Sequence, residues 1–112
     1  MQLSAWIFPN LNSDVARTST QGGEGYDGNI GSSFRSVPTN DIQGTLRVTR
    51  TAGLMTSYYL SGGKWVELYA APAVGQVMIG LQVFATAGDW QQKETRAAFD
   101  NFSVSAPSMV CP

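Results

Sequence analysis

Few side chains here are equipped for chemistry: the 112-residue chain has no histidine and one cysteine, Cys111. Without an imidazole it lacks the commonest general base, metal ligand and physiological pH switch. Zinc centres and Ser-His-Asp hydrolysis are thereby excluded. What remains is carboxylates, arginines and aromatic rings. One set stands out: Arg47, Tyr58 and Glu67, with Trp65, Tyr69 and Gln82 nearby. Aromatic faces stack on the apolar face of a pyranose, while an arginine beside a carboxylate donates to and accepts from sugar hydroxyls. The competing account of the same set is ordinary cross-strand packing, with a modest Arg–Glu pair worth about 0.2 to 1 kcal/mol.

A second candidate is Trp90, placed among polar residues in Ala87-Gly88-Asp89-Trp90-Gln91-Gln92. It reads equally as a ligand contact or as an aromatic tucked over one end of the fold. Glu24, Asp27 and Asn29, or Asp100 and Asn101, offer oxygens to a calcium ion. A calcium site takes about six to eight oxygens and no EF-hand spacing is present, so these residues read as turn chemistry and strand-end capping, and no cofactor is expected. The glycines make no phosphate loop, because no Gly-Lys-Ser/Thr follows them. Glycoside hydrolysis needs two carboxyl groups about 5 to 10 Å apart. Glu67 has no carboxylate two or four residues on, so its partner would have to be distant, such as Asp41 or Asp89. Catalysis is not expected.

Seven basic and eight acidic residues leave a net charge of -1, which gives no electrostatic footprint for nucleic acid or an anionic membrane. A neutral or weakly charged partner is favoured. The lone Cys111 cannot form an intrachain disulfide and reads as a tail thiol, with an intermolecular bridge as the other reading. The opening Met1 to Pro9 has no basic leader region and breaks at Pro9, so it reads as a first strand and not as a signal peptide or membrane span. The chain is expected to be soluble, cytoplasmic as written and extracellular if a signal has been removed.

These side chains must be positioned by strands. No apolar helical period persists, whereas Gly, Ser, Thr and β-branched residues abound, so the fold class is all-β. Strands are expected near 2–8, 14–20, 31–37, 44–51, 54–61, 64–70, 75–86 and 96–105. The four glycines of 21–30 read as a mobile loop. A single domain spans 1–106, and 107–112 is an irregular tail. Gly62-Gly63 is a two-residue turn that fixes register: Ser61 faces Lys64, Leu60 Trp65, Tyr59 Val66, Tyr58 Glu67, Ser57 Leu68 and Thr56 Tyr69. A matching turn at Ala52-Gly53 sets Thr49 opposite Thr56, Val48 opposite Ser57, Arg47 opposite Tyr58 and Leu46 opposite Tyr59. One face then collects Leu46, Val48, Met55, Tyr59, Val66 and Leu68 as core. The other carries three rows: Thr45, Leu60 and Trp65; Arg47, Tyr58 and Glu67; and Thr49, Thr56 and Tyr69. A one-residue slip at Ala52-Gly53 would turn Arg47 to the core, which is costly unpaired. In 75–86, Val77, Ile79, Leu81, Val83 and Ala85 form one apolar face. In 96–105, Phe99 and Phe102 have opposite parity, which suggests that both faces pack.

In order and spacing, four segments of Gly44–Val104 resemble the C-terminal half of a concanavalin A-like lectin/glucanase domain, a group that includes laminin-G-like modules. They are Leu46–Gly53, Tyr58–Trp65, Val77–Val83 and the closing Ala98-Phe99-Asp100-Asn101-Phe102-Ser103-Val104. The resemblance implies an antiparallel β-sandwich or jelly roll. Members are longer, so the opening strands read as shortened or missing, and the truncated sheet leaves an unpaired edge that offers a route to dimers. The Glu-x-Asp-x-x-Glu run of resembling glucanases is absent. The sequence thus points to a compact, non-catalytic, lectin-like binding module for a neutral oligosaccharide. Its alternatives are a self-associating structural protein that pairs through an open sheet edge or its amphipathic face as a homodimer and, more remotely, a glycoside hydrolase-like enzyme using Glu67.

Overall fold

A computed structural model describes residues 2–7, 11–20, 23–83 and 98–110, with the backbone alone at 2–7, 11–12 and 19–20. Its regular structure is entirely β: β1 (Gln2–Ile7), β2 (Leu11–Thr20), β3 (Gly23–Ile30), β4 (Ser33–Pro38), β5 (Leu46–Thr51), β6 (Leu54–Ser61), β7 (Lys64–Pro72) and β8 (Val77–Gln82). A five-stranded sheet runs β4-β3-β2-β1-β8 and a three-stranded sheet runs β5-β6-β7. Every pairing is antiparallel. The sheets lie face to face, with β5 against β1 and β2, β6 against β2 and β3, and β7 against β3 and β4. None of the described residues forms a helix long and apolar enough to cross a membrane.

The side-chain alternation of strands explains what is buried. Ser13 and Val15 on β2 point inward, and opposite them Tyr26, Gly28 and Ile30 do so on β3. Two clusters fill the space between the sheets. One joins Val15, Tyr26 and Leu68, with Val37, Leu46, Val48 and Tyr59 packed on it. The other joins Ile30, Met55 and Ala73, flanked by Val48, Tyr69, Ala71, Val77 and Ile79. Tyr26 stacks on Tyr59 across the interface, ring centroids 4.4 Å apart and planes 15° apart.

The segment 21–30, expected as a loop, is therefore a strand over its described part. Gly28 serves packing: a Cβ there would meet Ser57 Oγ at 2.6 Å and Leu68 Cβ at 2.9 Å. Only a residue without a side chain lets the sheets approach this closely. A turn with Gly31 at φ 61° delays β4 to Ser33, and β8 starts at Val77, after Gly75 at φ 113°. Residues 84–86 of the expected 75–86 strand lie outside the described residues, as do 96 and 97 of the last. The rest of that last segment, 98–105, is not a strand. Asn101 sits in the left-handed region at φ 52° and breaks the extended run, and Phe99, Phe102 and Val104 are exposed rather than packed on both sides.

The central hairpins take the expected turns, Ala52-Gly53 and Gly62-Gly63, with all four residues at positive φ. The β5–β6 register and the first four pairs of β6–β7, Ser61–Lys64 to Tyr58–Glu67, agree with expectation. Beyond them the ladder shifts between Ser57 and Tyr58, so that Ser57 faces Tyr69 and Thr56 faces Ala70. Leu68 is thus the extra residue of a β-bulge. Its carbonyl accepts from Arg35 Nη1 on β4 at 3.4 Å, while Ser57 Oγ donates to the Tyr69 carbonyl at 3.3 Å. Val66, expected in the core, lies on the free edge of the small sheet and is exposed.

Candidate functional site

The outer face of the three-stranded sheet carries the residues singled out from the sequence. Arg47, Tyr58 and Glu67 form one cross-strand row on β5, β6 and β7. The neighbouring row holds Thr45, Leu60 and Trp65, and Leu60 N donates to the Thr45 carbonyl at 3.0 Å to extend the ladder to that row. Trp65 keeps 40% of its surface exposed, and the Arg47 guanidinium lies over its ring, 5.3 Å from the centroid. Among the described residues Arg47 and Glu67 form no ion pair, so Arg47 prefers the indole to the carboxylate in its own row. Alternation explains the grouping: inward neighbours Leu46, Val48 and Tyr59 join the core, which obliges Arg47 and Tyr58 to face out. The result is a flat, amphipathic platform of indole, phenol, guanidinium and carboxylate.

Two members of the expected set are not there. Tyr69 lies past the bulge, and the extra residue reverses its parity. It packs on the Met55 cluster instead of joining Thr49 in the outer row, and Thr56, expected in that row, is buried with 5% of its surface exposed. Gln82 sits on β8, an edge strand of the other sheet. Val77 and Ile79 pack on the core while Met78 is exposed, so alternation places Gln82 on the far side of the molecule from Arg47. Trp90 lies outside the described residues, as do Asp89 and Cys111.

Sequence reasoning missed a cluster where the connection from β4 to β5 crosses between the sheets. Tyr26 Oη donates to Asp41 Oδ2 at 2.7 Å, and Arg17 Nε donates to the Asp41 carbonyl at 3.1 Å. Arg17 also pairs with Glu24, and Asp41 N donates to Thr39 Oγ1 at 3.1 Å. Burial, then the hydrogen bond to Asp41 and its negative charge, push the Tyr26 phenol up to about 12, against a partial opposing pull from Arg17. This clasp pins the crossover. Asp41 is committed to it, although from sequence it was a conceivable partner for Glu67. No local motif announces the clasp, because its members lie on three separate segments.

The side chains weighed for calcium are also engaged elsewhere. Glu24 turns to Arg17, Ser36 Oγ donates to Asp27 Oδ1 at 2.5 Å, and Asn29 Nδ2 donates to Asp14 Oδ2 at 3.0 Å. Asp100 and Asn101 are exposed on the segment that forms no strand. Compared with known protein families, curated proteins and solved structures, the chain matches none.

Proposed function

We propose that the chain is a compact β-sandwich of the concanavalin A-like lectin type, acting as a non-catalytic module that binds a neutral oligosaccharide on the outer face of β5, β6 and β7. The observation that carries this reading is the half-exposed Trp65 under the Arg47 guanidinium, beside Tyr58 and Glu67. An exposed cation–π contact is worth only about 0.5 to 1 kcal/mol. A pyranose face can therefore take the guanidinium's place on the indole while Arg47 turns its donors, and Glu67 its acceptors, to the sugar hydroxyls. The near-neutral net charge of -1 suits an uncharged ligand.

Isothermal titration calorimetry against a panel of neutral oligosaccharides tests this. Saturable heat is expected with at least one of them, and Trp65→Ala should weaken that binding about tenfold or more, with Glu67→Gln a smaller loss. Heat from none of the panel, or binding that Trp65→Ala leaves unchanged, would remove the platform from consideration.

A further inference from the structure

The two sheets are unequal, five strands against three, and the mismatch falls at one side. The small sheet runs from β7, over β3 and β4, to β5, over β1 and β2. Beyond β5 no described strand continues it, although β1 and β8 still lie below. Among the described strands β8 pairs with β1 alone, and Val77, Ile79 and Leu81 are half-buried, the first two against the cluster of Ile30, Met55 and Ala73. The connection 73–76 closes one end of this space, where Arg50 Nη1 donates to the Gly75 carbonyl at 2.5 Å. The result is a slot one strand wide, bounded by the free edge of β5 and floored by β8. A second β5 cannot fill it, because the full sheet beneath that strand would collide with β8.

The edge is ready for pairing. Thr45 and Leu60 are a hydrogen-bonded pair. By the antiparallel rule, alternate β5 residues Arg47, Thr49 and Thr51 also spend their backbone groups on β6, and Leu46, Val48 and Arg50 turn theirs outward to the slot. Those same three residues have their side chains on the inner face, since Arg50 pairs with inward Met55.

One part of this chain matches that edge. Residues 98–104 form no ladder, and their large apolar side chains meet solvent, Phe102 with 52% of its surface. Extended antiparallel to β5, Asp100 falls opposite Arg50, Phe102 opposite Val48 and Val104 opposite Leu46. A carboxylate then meets the exposed guanidinium, and two apolar side chains enter the gap over β8. Ser103 and Asn101 face solvent beside Arg47 and Thr49. Extension requires only that Asn101 leave the left-handed region, which asparagine enters and leaves at low cost.

We propose that residues Asp100–Val104 of a second copy of this chain add to β5 as a fourth strand of the small sheet, and that the exchange is reciprocal, giving a two-fold dimer. Among the described residues this segment forms no ladder with its own β5, and no described strand of the same chain lies beside that edge. The glycan platform lies on the opposite face of the small sheet and stays open, so the dimer does not depend on it.

The test is molar mass by light scattering, with a charge swap. The protein should run at twice its 12.0 kDa chain mass. Arg50→Asp alone and Asp100→Arg alone should each weaken the dimer about tenfold or more, and the two changes together should restore it. An excess of a synthetic peptide of residues 97–106 should convert dimer to a single chain carrying one peptide, with no substitution that risks the fold. A wild type that runs as a single chain, a swap that fails to restore the dimer, or a dimer indifferent to the peptide would each overturn the proposal. A cysteine pair at Thr49→Cys and Asn101→Cys, with Cys111→Ser, identifies the source of the strand. Its oxidation should link two chains, whereas a bond closed within one chain would show that the segment fills its own slot.

Discussion

Tyr26 performs three tasks with one side chain. Its ring stacks on Tyr59 and fills the cluster with Val15 and Leu68, and its hydroxyl donates to Asp41 at the crossover. The phenol is raised from 10.0 to about 12 by burial and by Asp41. The folded chain therefore holds this proton more tightly than the unfolded chain does. Stability from the group is complete below about pH 10 and falls as pH rises through about 12. Urea unfolding midpoints should decline over that window in the wild type. Tyr26→Phe should be less stable at neutral pH by about 1.5 to 3 kcal/mol, the usual worth of a hydrogen bond to a charged group. Its profile above pH 10 should also be flatter. An equal alkaline decline in both proteins would assign the loss to another group.

Among the elements, the β5–β6 hairpin carries a local conflict, because Ala52 occupies φ 51° where the turn calls for Gly, Asn or Asp. A left-handed alanine costs about 1 kcal/mol. Ala52→Asn should stabilise by about 0.5 to 1 kcal/mol, read as a rise in thermal midpoint; no rise would mean that the turn is relaxed as it stands. The hairpins were legible because two-residue turns fix parity outward from their tips, and Arg47, Tyr58, Trp65 and Glu67 all lie within reach of those tips. Legibility ended at the bulge. Leu68 and Tyr69 are adjacent and both apolar, so the pattern gives no sign of which one interrupts the alternation, and unbroken alternation puts Tyr69 on the outer face. In β3 the inward series Tyr26, Gly28, Ile30 has a glycine at its middle, which erased the apolar period and made a central strand look like a loop. Gln82 was misplaced for another reason: the sheet that β8 joins is decided by β1, some 75 residues away in the chain, and no local pattern records so distant a pairing.

For the whole molecule, the contact of the two sheets converges where Gly28 meets Ser57 and Leu68. The methyl group of Gly28→Ala would press on the backbone-proximal Leu68 Cβ, which cannot swing aside like the far end of a long side chain. The sheets must part, at a cost of about 1 to 3 kcal/mol. Differential scanning calorimetry should show a midpoint lowered by about 4 to 8 °C per kcal/mol; an unchanged midpoint would mean that the sheets sit further apart. The pairing of β1 with β8 has a consequence for the order of events during synthesis. Residues 2–7 leave the ribosome well before their second neighbour, residues 77–82, which is made some 75 residues later. Until then the nascent meander β1 to β4 shows a bare edge at β1, and its apolar inner face has no lid while β5 to β7 are still being translated. Such a chain is most exposed to misassembly on the ribosome, and the slow, non-local closure by β8 is the step at which a holding chaperone would have most effect.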